Sequence, residues 1–149
     1  MSITYAQICD AIALTLSAAT TTPRTESYNE LTEGIPDVPL LQVYPERAEQ
    51  DPSGNTDRTT FRAAVRQTVI TIHADYYAHQ RAHIGEDMAA LVAGIDAITD
   101  EFEKQDSKPL FGLVDIQAFS WSWQRVTFEY GDPLQRYVGA RFIITVRVF

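Results

Sequence analysis

The sequence predicts an α+β domain in which a mostly antiparallel sheet with one long hairpin packs against two helices. Three observations carry that prediction. Between Ile84 and Phe102 the apolar residues Ile84, Met88, Leu91, Ile95, Ile98 and Phe102 recur at steps of four, three, four, three and four, which draws one stripe down a helix. Strand-like runs flank that helix, Val65–Tyr77 before it and Ala118–Tyr130 and Val138–Phe149 after it. A single stripe is buried only against another element, and a sheet built from those runs is the nearest candidate. The chain has 149 residues and 45% apolar side chains, which suits one domain over 1–149. Roughly two-thirds of the unfolded surface can be buried at this size, enough for a core without metals or disulfides.

The elements follow in order. Helix one is expected over Tyr5–Ala18, with Thr4 as N-cap, Gln7 completing a capping box, and Ile3 and Ile8 at the positions of a hydrophobic staple. Ile8, Ile12 and Leu16 form its inner stripe, with Tyr5 and Cys9 beside it. The threonine-rich run ending in Pro23 stops it. Arg24–Leu31 reads as a short edge strand, and Gly34, Pro36 and Pro39 mark an irregular connection. Leu40–Tyr44 is a short, nearly all-apolar strand of central type, stopped by Pro45. Residues 46–60 leave almost nothing to bury and read as a polar flexible loop. Phe61–Tyr77 returns to alternation, with Ile70, Ile72, Ala74 and Tyr76 on one face and Val69, Thr71, His73, Asp75 and Tyr77 on the other. Leu40–Tyr44 and Phe61–Tyr77 therefore form a long hairpin with a mobile tip. In the striped helix, Gly85 and Gly94 each lower helix propensity by about 1 kcal/mol against alanine. Leu110–Ile116 reads as a short strand interrupted by Gly112. In Ala118–Tyr130 the apolar set changes phase near Arg125, from Phe119, Trp121 and Trp123 to Val126, Phe128 and Tyr130, which reads as a β-bulge. Gly131-Asp132-Pro133 is a turn, and Val138–Phe149 is the last strand.

A formal net charge of −8 argues against broad binding to duplex DNA, which needs a Lys/Arg surface. It is compatible with a wall that DNA passes without adhering. The lone Cys9 cannot form an internal bridge and reads as a buried thiol. No signal peptide and no transmembrane run is seen, so the chain is expected to be soluble and made in a cytoplasm.

Candidate chemistry is sparse. His79 and His83 have the i, i+4 spacing of helical metal ligands, and His73 and Asp75 share a strand face near Glu86. A small metal-dependent enzyme using His73, Asp75, His79 and His83 is one reading; polar residues at a surface and a helix start are the other. The carboxylates Glu30/Glu33 and Asp100/Glu101/Glu103 lie in polar stretches, without the contrasting environments that acid–base work needs. No nucleophile-elbow, phosphate-loop, dinucleotide or HExxH motif occurs. Trp121, Trp123, Phe128, Tyr130 and Tyr137, with Arg125, Arg136, Arg141 and Arg147 nearby, suit either a core or a stacking surface; those left outside a core suit a subunit interface.

The opening Ile3–Leu16, the strand Leu40–Tyr44 with Glu46–Thr60, and the ending Tyr137–Phe149 together resemble the tail terminator (tail-completion) proteins of long-tailed bacteriophages. The resemblance covers nearly the whole chain and implies a structural virion protein rather than an enzyme. Such proteins cap the tail tube as a hexameric ring, stop tube polymerisation and offer a head–tail joining surface. Implied partners are copies of the chain itself, the major tail tube protein, a head-side connector or stopper protein, and genomic DNA passing the lumen without specific binding; no membrane and no cofactor is implied. The implied location is the head-proximal end of the virion tail. Another neck protein, such as a head–tail stopper or joining protein, is the neighbouring alternative. Interface candidates under this resemblance are Glu46, Arg47, Glu49, Asp51, Asp57, Arg58, Arg62, Arg66, Arg136 and Arg141.

Overall fold

The striped helix lies on the sheet as its spacing requires. In the computed structural model, which describes residues 3–19, 24–28, 39–51, 67–80, 84–130 and 135–148, this helix, α2, spans Ile84–Glu103. Leu91, Ile95, Ile98 and Phe102 are buried, with Met88 partly buried beside them. Full burial of a side chain of this size contributes about 1.5–3 kcal/mol. Helix α1 spans Tyr5–Leu16. Its capping box is formed: the Gln7 backbone N–H donates to Thr4 Oγ1 at 3.1 Å, and the Thr4 N–H donates to Gln7 Oε1 at 2.9 Å. Ile3, Ile8, Cys9, Ile12 and Leu16 enter the core, whereas Tyr5 remains largely outside.

The strands are β1 (Arg24–Glu26), β2 (Leu40–Asp51), β3 (Gln67–Gln80), β4 (Ile116–Tyr130) and β5 (Gln135–Val148), in the sheet order β1-β2-β3-β5-β4. All neighbouring pairs are antiparallel except β1, a short edge strand parallel to β2. The fold is thus α+β and mostly sheet, with both helices on one face. Leu41, Val43, Ile72, Ala74, Phe142 and Ile144 supply the sheet side of the core. No helix among the described residues is long and apolar enough to cross a membrane.

Three expectations are corrected. Pro45 does not stop β2: the strand runs on to Asp51, so residues 46–51 of the expected loop are paired strand, up to Asp51 opposite Gln67. The register slips between Pro45 and Arg47, and this bulge tolerates a residue without an N–H. Residues 52–60 of the expected loop, and Phe61–Arg66 of the rising arm, lie outside the described residues. Second, pairing of β4 with β5 is continuous through Arg125; the irregularity falls between Ile116 and Ala118. The change of apolar parity is a change of covered face. Phe119 and Trp121 pack on the helix-side core, while Phe128 packs across the sheet with Leu40, Tyr77 and Tyr137.

Third, 110–115 is a turn closed by a bridge between Leu110 and Leu113 rather than a strand. Phe111 and Gly112 both have positive φ, 53° and 73°. Phe111 holds that disfavoured conformation because its ring is buried 4.8 Å from Phe119, and its N–H donates to Gln105 Oε1 at 2.7 Å.

Candidate functional site

Among the described residues both helices cover one face of the sheet, and strand alternation sends the other half of the side chains to the opposite face. Its rows follow from the register: Gln42, Asp75, Arg141 and Gln124 stand side by side across β2, β3, β5 and β4, and Tyr44, His73, Ile143 and Ser122 form the next row. A polar cluster occupies the first row. Asp75 is only 3% exposed. Arg141 Nε donates to its Oδ1 at 2.8 Å and Nη2 to its Oδ2 at 3.3 Å, while the Tyr44 hydroxyl donates to Oδ2 at 2.5 Å. The Arg141 guanidinium also stands 5.9 Å from the Phe128 ring centroid.

Burial, then the hydrogen bond to Asp75, raise the Tyr44 hydroxyl well above its ordinary value. The bond to Asp75 likewise raises Arg141, keeping it charged. The phenol is held protonated and the carboxylate is already paired with two donors, so this trio acts as a clamp across β2, β3 and β5. Removing one partner of such a buried pair costs far more than the intact pair contributes.

His73 lies beside the clamp. Its Nδ1 is buried and has no hydrogen-bond partner among the described residues; the nearest carboxylate oxygen, Glu46 Oε2, is 3.7 Å away. The ring meets Tyr44 edge-on at 5.7 Å. Among the described residues the metal reading is not assembled. His79 belongs to β3, not to a helix start, and α2 begins at Ile84. His83 lies outside the described residues, and no three His, Cys, Asp or Glu residues converge among those described.

The interface candidates separate into four groups. Glu46, Arg47 and Glu49 are exposed on the outer part of β2, where Arg47 Nη2 meets Glu49 Oε2 at 3.0 Å, and Asp51 closes the strand. Arg136 pairs with Glu129 across β5 and β4 at 3.3 Å. Arg141 is engaged in the clamp and does not serve as a free surface charge. Asp57, Arg58, Arg62 and Arg66 lie outside the described residues. The described residues also line concavities. A cleft of about 200 Å³ lies between Tyr5, Pro45–Ala48 and Ile70. A groove of about 580 Å³ at the ends of the helices is lined by Ala18, Ala19, Ala97 and the acidic residues Asp100, Glu101, Glu103 and Asp106, with Lys104 bound to Glu101 at 2.9 Å.

Sequence reasoning set Asp75 on one strand face with His73 and named Arg141 as an interface candidate, and missed that the two meet. The available signal was a carboxylate in the middle of one long strand and a guanidinium in the middle of another. The chain matches no family profile and no curated protein.

Proposed function

We propose that the protein is a tail terminator of a long-tailed phage: a structural subunit, not an enzyme, that closes into a ring, a hexamer in this reading, on the head-proximal end of the tail tube. The observation that carries the reading is the β2–β3 hairpin. Leu40, Leu41 and Val43 are buried, whereas every residue from Pro45 to Gln50 is exposed, paired with β3 except at the Glu46 bulge, and carries the charges of Glu46, Arg47 and Glu49. An exposed charged strand of this kind suits a contact with a neighbouring subunit or with the tube, because its backbone is already ordered by pairing and little conformational entropy is lost on docking.

The acidic balance supports the same reading. A ring through which DNA travels gains from a lumen that repels phosphate. The proposed partners are copies of the chain, the major tail tube protein and a head-side connector or stopper, with DNA passing unbound.

The test is assembly. Light scattering after size exclusion, with negative-stain images, should reveal rings at high protein concentration, and added protein should stop elongation of purified tube protein at sub-stoichiometric amounts. Arg47→Glu, on the exposed arm, should keep the circular-dichroism spectrum and lose both behaviours. Tube elongation that proceeds unchanged with the protein present would refute the reading.

A further inference from the structure

Strand β4 ends the sheet on the side away from β1, and among the described residues no strand pairs with its outer edge. It is 15 residues long. Alternate N–H and C=O groups of an edge strand point outward and template another strand unless the edge is blunted by Lys, Pro or a bulge. Between Ala118 and Tyr130 there is no Lys and no Pro, and the register with β5 is unbroken. Trp123 stands on this open strand 45% exposed, beyond the cover of α2, which ends with Phe102 stacked on Trp121 at 5.6 Å.

We infer that β4 is a self-pairing edge: a second copy of this chain adds its β4 antiparallel, about a two-fold axis at Gln124. The strand is complementary to itself around that residue. Trp123 falls opposite Arg125 of the second copy, and Arg125 opposite Trp123. Both residues lie on the helix-side face, since they pair with Phe142 and Ala140 of β5. A guanidinium then covers each exposed indole, twice per dimer. The same register sets Phe119 opposite Glu129 and Ser122 opposite Val126, and it pairs the whole of 118–130.

The competing register, centred on Thr127, sets Arg125 against Glu129. That carboxylate already holds Arg136, and only Gln124–Tyr130 would pair. An axis perpendicular to the sheet keeps both helix layers on one side, so the two sheets become one continuous sheet. The contact is isologous, whereas a ring closes through heterologous contacts; the inference goes beyond the ring reading and does not depend on it.

Cysteine cross-linking and sedimentation test it on the full chain, whose only native cysteine, Cys9, is buried. Gln124→Cys should form a covalent dimer on mild oxidation, because directly opposed antiparallel residues fall within disulfide reach. Ser120→Cys, which faces Phe128 of the second copy, should cross-link at least about tenfold less. Trp123→Lys places like charge against Arg125 and should weaken self-association about tenfold or more, and adding Arg125→Glu should restore it. Cross-linking at Thr127→Cys in place of Gln124→Cys, a wild-type protein that stays monomeric at all concentrations, or association unchanged by Trp123→Lys would each overturn the proposal. Loss of the Gln124→Cys cross-link on adding Trp123→Lys, with rings unchanged, is the result expected if the two contacts are separate, and absence of the Gln124→Cys cross-link in protein that still forms rings would overturn this contact while leaving the ring reading standing.

Discussion

Gly94→Ala sets two physical effects against each other with opposite signs. Helix propensity favours the change: glycine inside a helix costs about 1 kcal/mol against alanine. Packing opposes it. Gly94 is where α2 crosses the sheet, and a Cβ placed there would lie 2.1 Å from Tyr76 Oη and 2.4 Å from two ring carbons. Tyr76 is 1% exposed and surrounded by core, so the ring has little room to retreat. Overpacking of this kind costs about 1–3 kcal/mol, and so severe an overlap with a hemmed-in ring belongs at the upper end. The expected net effect is a loss of about 1–2 kcal/mol, a fall in Tm of about 2–8 °C for a chain of this size. Urea unfolding followed by circular dichroism measures it. Tyr76→Phe in the Gly94→Ala background removes the nearest atom but leaves the ring carbons, so it should recover only part of the loss. A Gly94→Ala protein more stable than wild type would show that the helix does not approach Tyr76 so closely, and the account of helix–sheet packing would fail.

Other expectations follow from the caps and the clamp. Thr4→Ala removes the acceptor for the Gln7 N–H and should lower stability by about 1 kcal/mol in the same assay. Asp75→Ala leaves Arg141 and the Tyr44 hydroxyl without their shared carboxylate; a loss of about 2–3 kcal/mol is expected, and a change below about 0.5 kcal/mol would show the clamp to be incidental. At high pH, burial holds both Tyr44 above its ordinary 10.0 and the Cys9 thiol, pushed up to about 12, above its ordinary 9.0. Each binds its proton more tightly folded than unfolded, so its contribution is complete below the ordinary value and is lost as pH rises toward the folded one. Urea midpoints should therefore fall above about pH 9, and Tyr44→Phe should shallow the part of that fall above about pH 10.

The periodic features are legible in the amino-acid order. The α2 stripe, the Thr4–Gln7 capping box, the burial of Cys9 and the two faces of β3 depend on residues within a few positions of each other, whose geometry a helix or strand fixes locally. The same reasoning failed at Pro45, where local chemistry says stop. There the energy of continued cross-strand pairing outweighs one missing donor placed at a bulge. It failed again at Arg125, where a parity change meant a change in what covers each face.

Residue order along the chain therefore dictates where both helices and the long strands lie and which side of each is apolar, because period and capping are properties of neighbours in sequence. That β5 lies between β3 and β4 emerges from the assembled fold alone. This strand order brings Arg141 onto Asp75, leaves the outer edge of β4 open among the described residues, and gives Gly94 its reason through Tyr76. These outcomes depend on which strand lies beside which, and strand order is set by burial of the whole sheet against two helices rather than by any short stretch of residues.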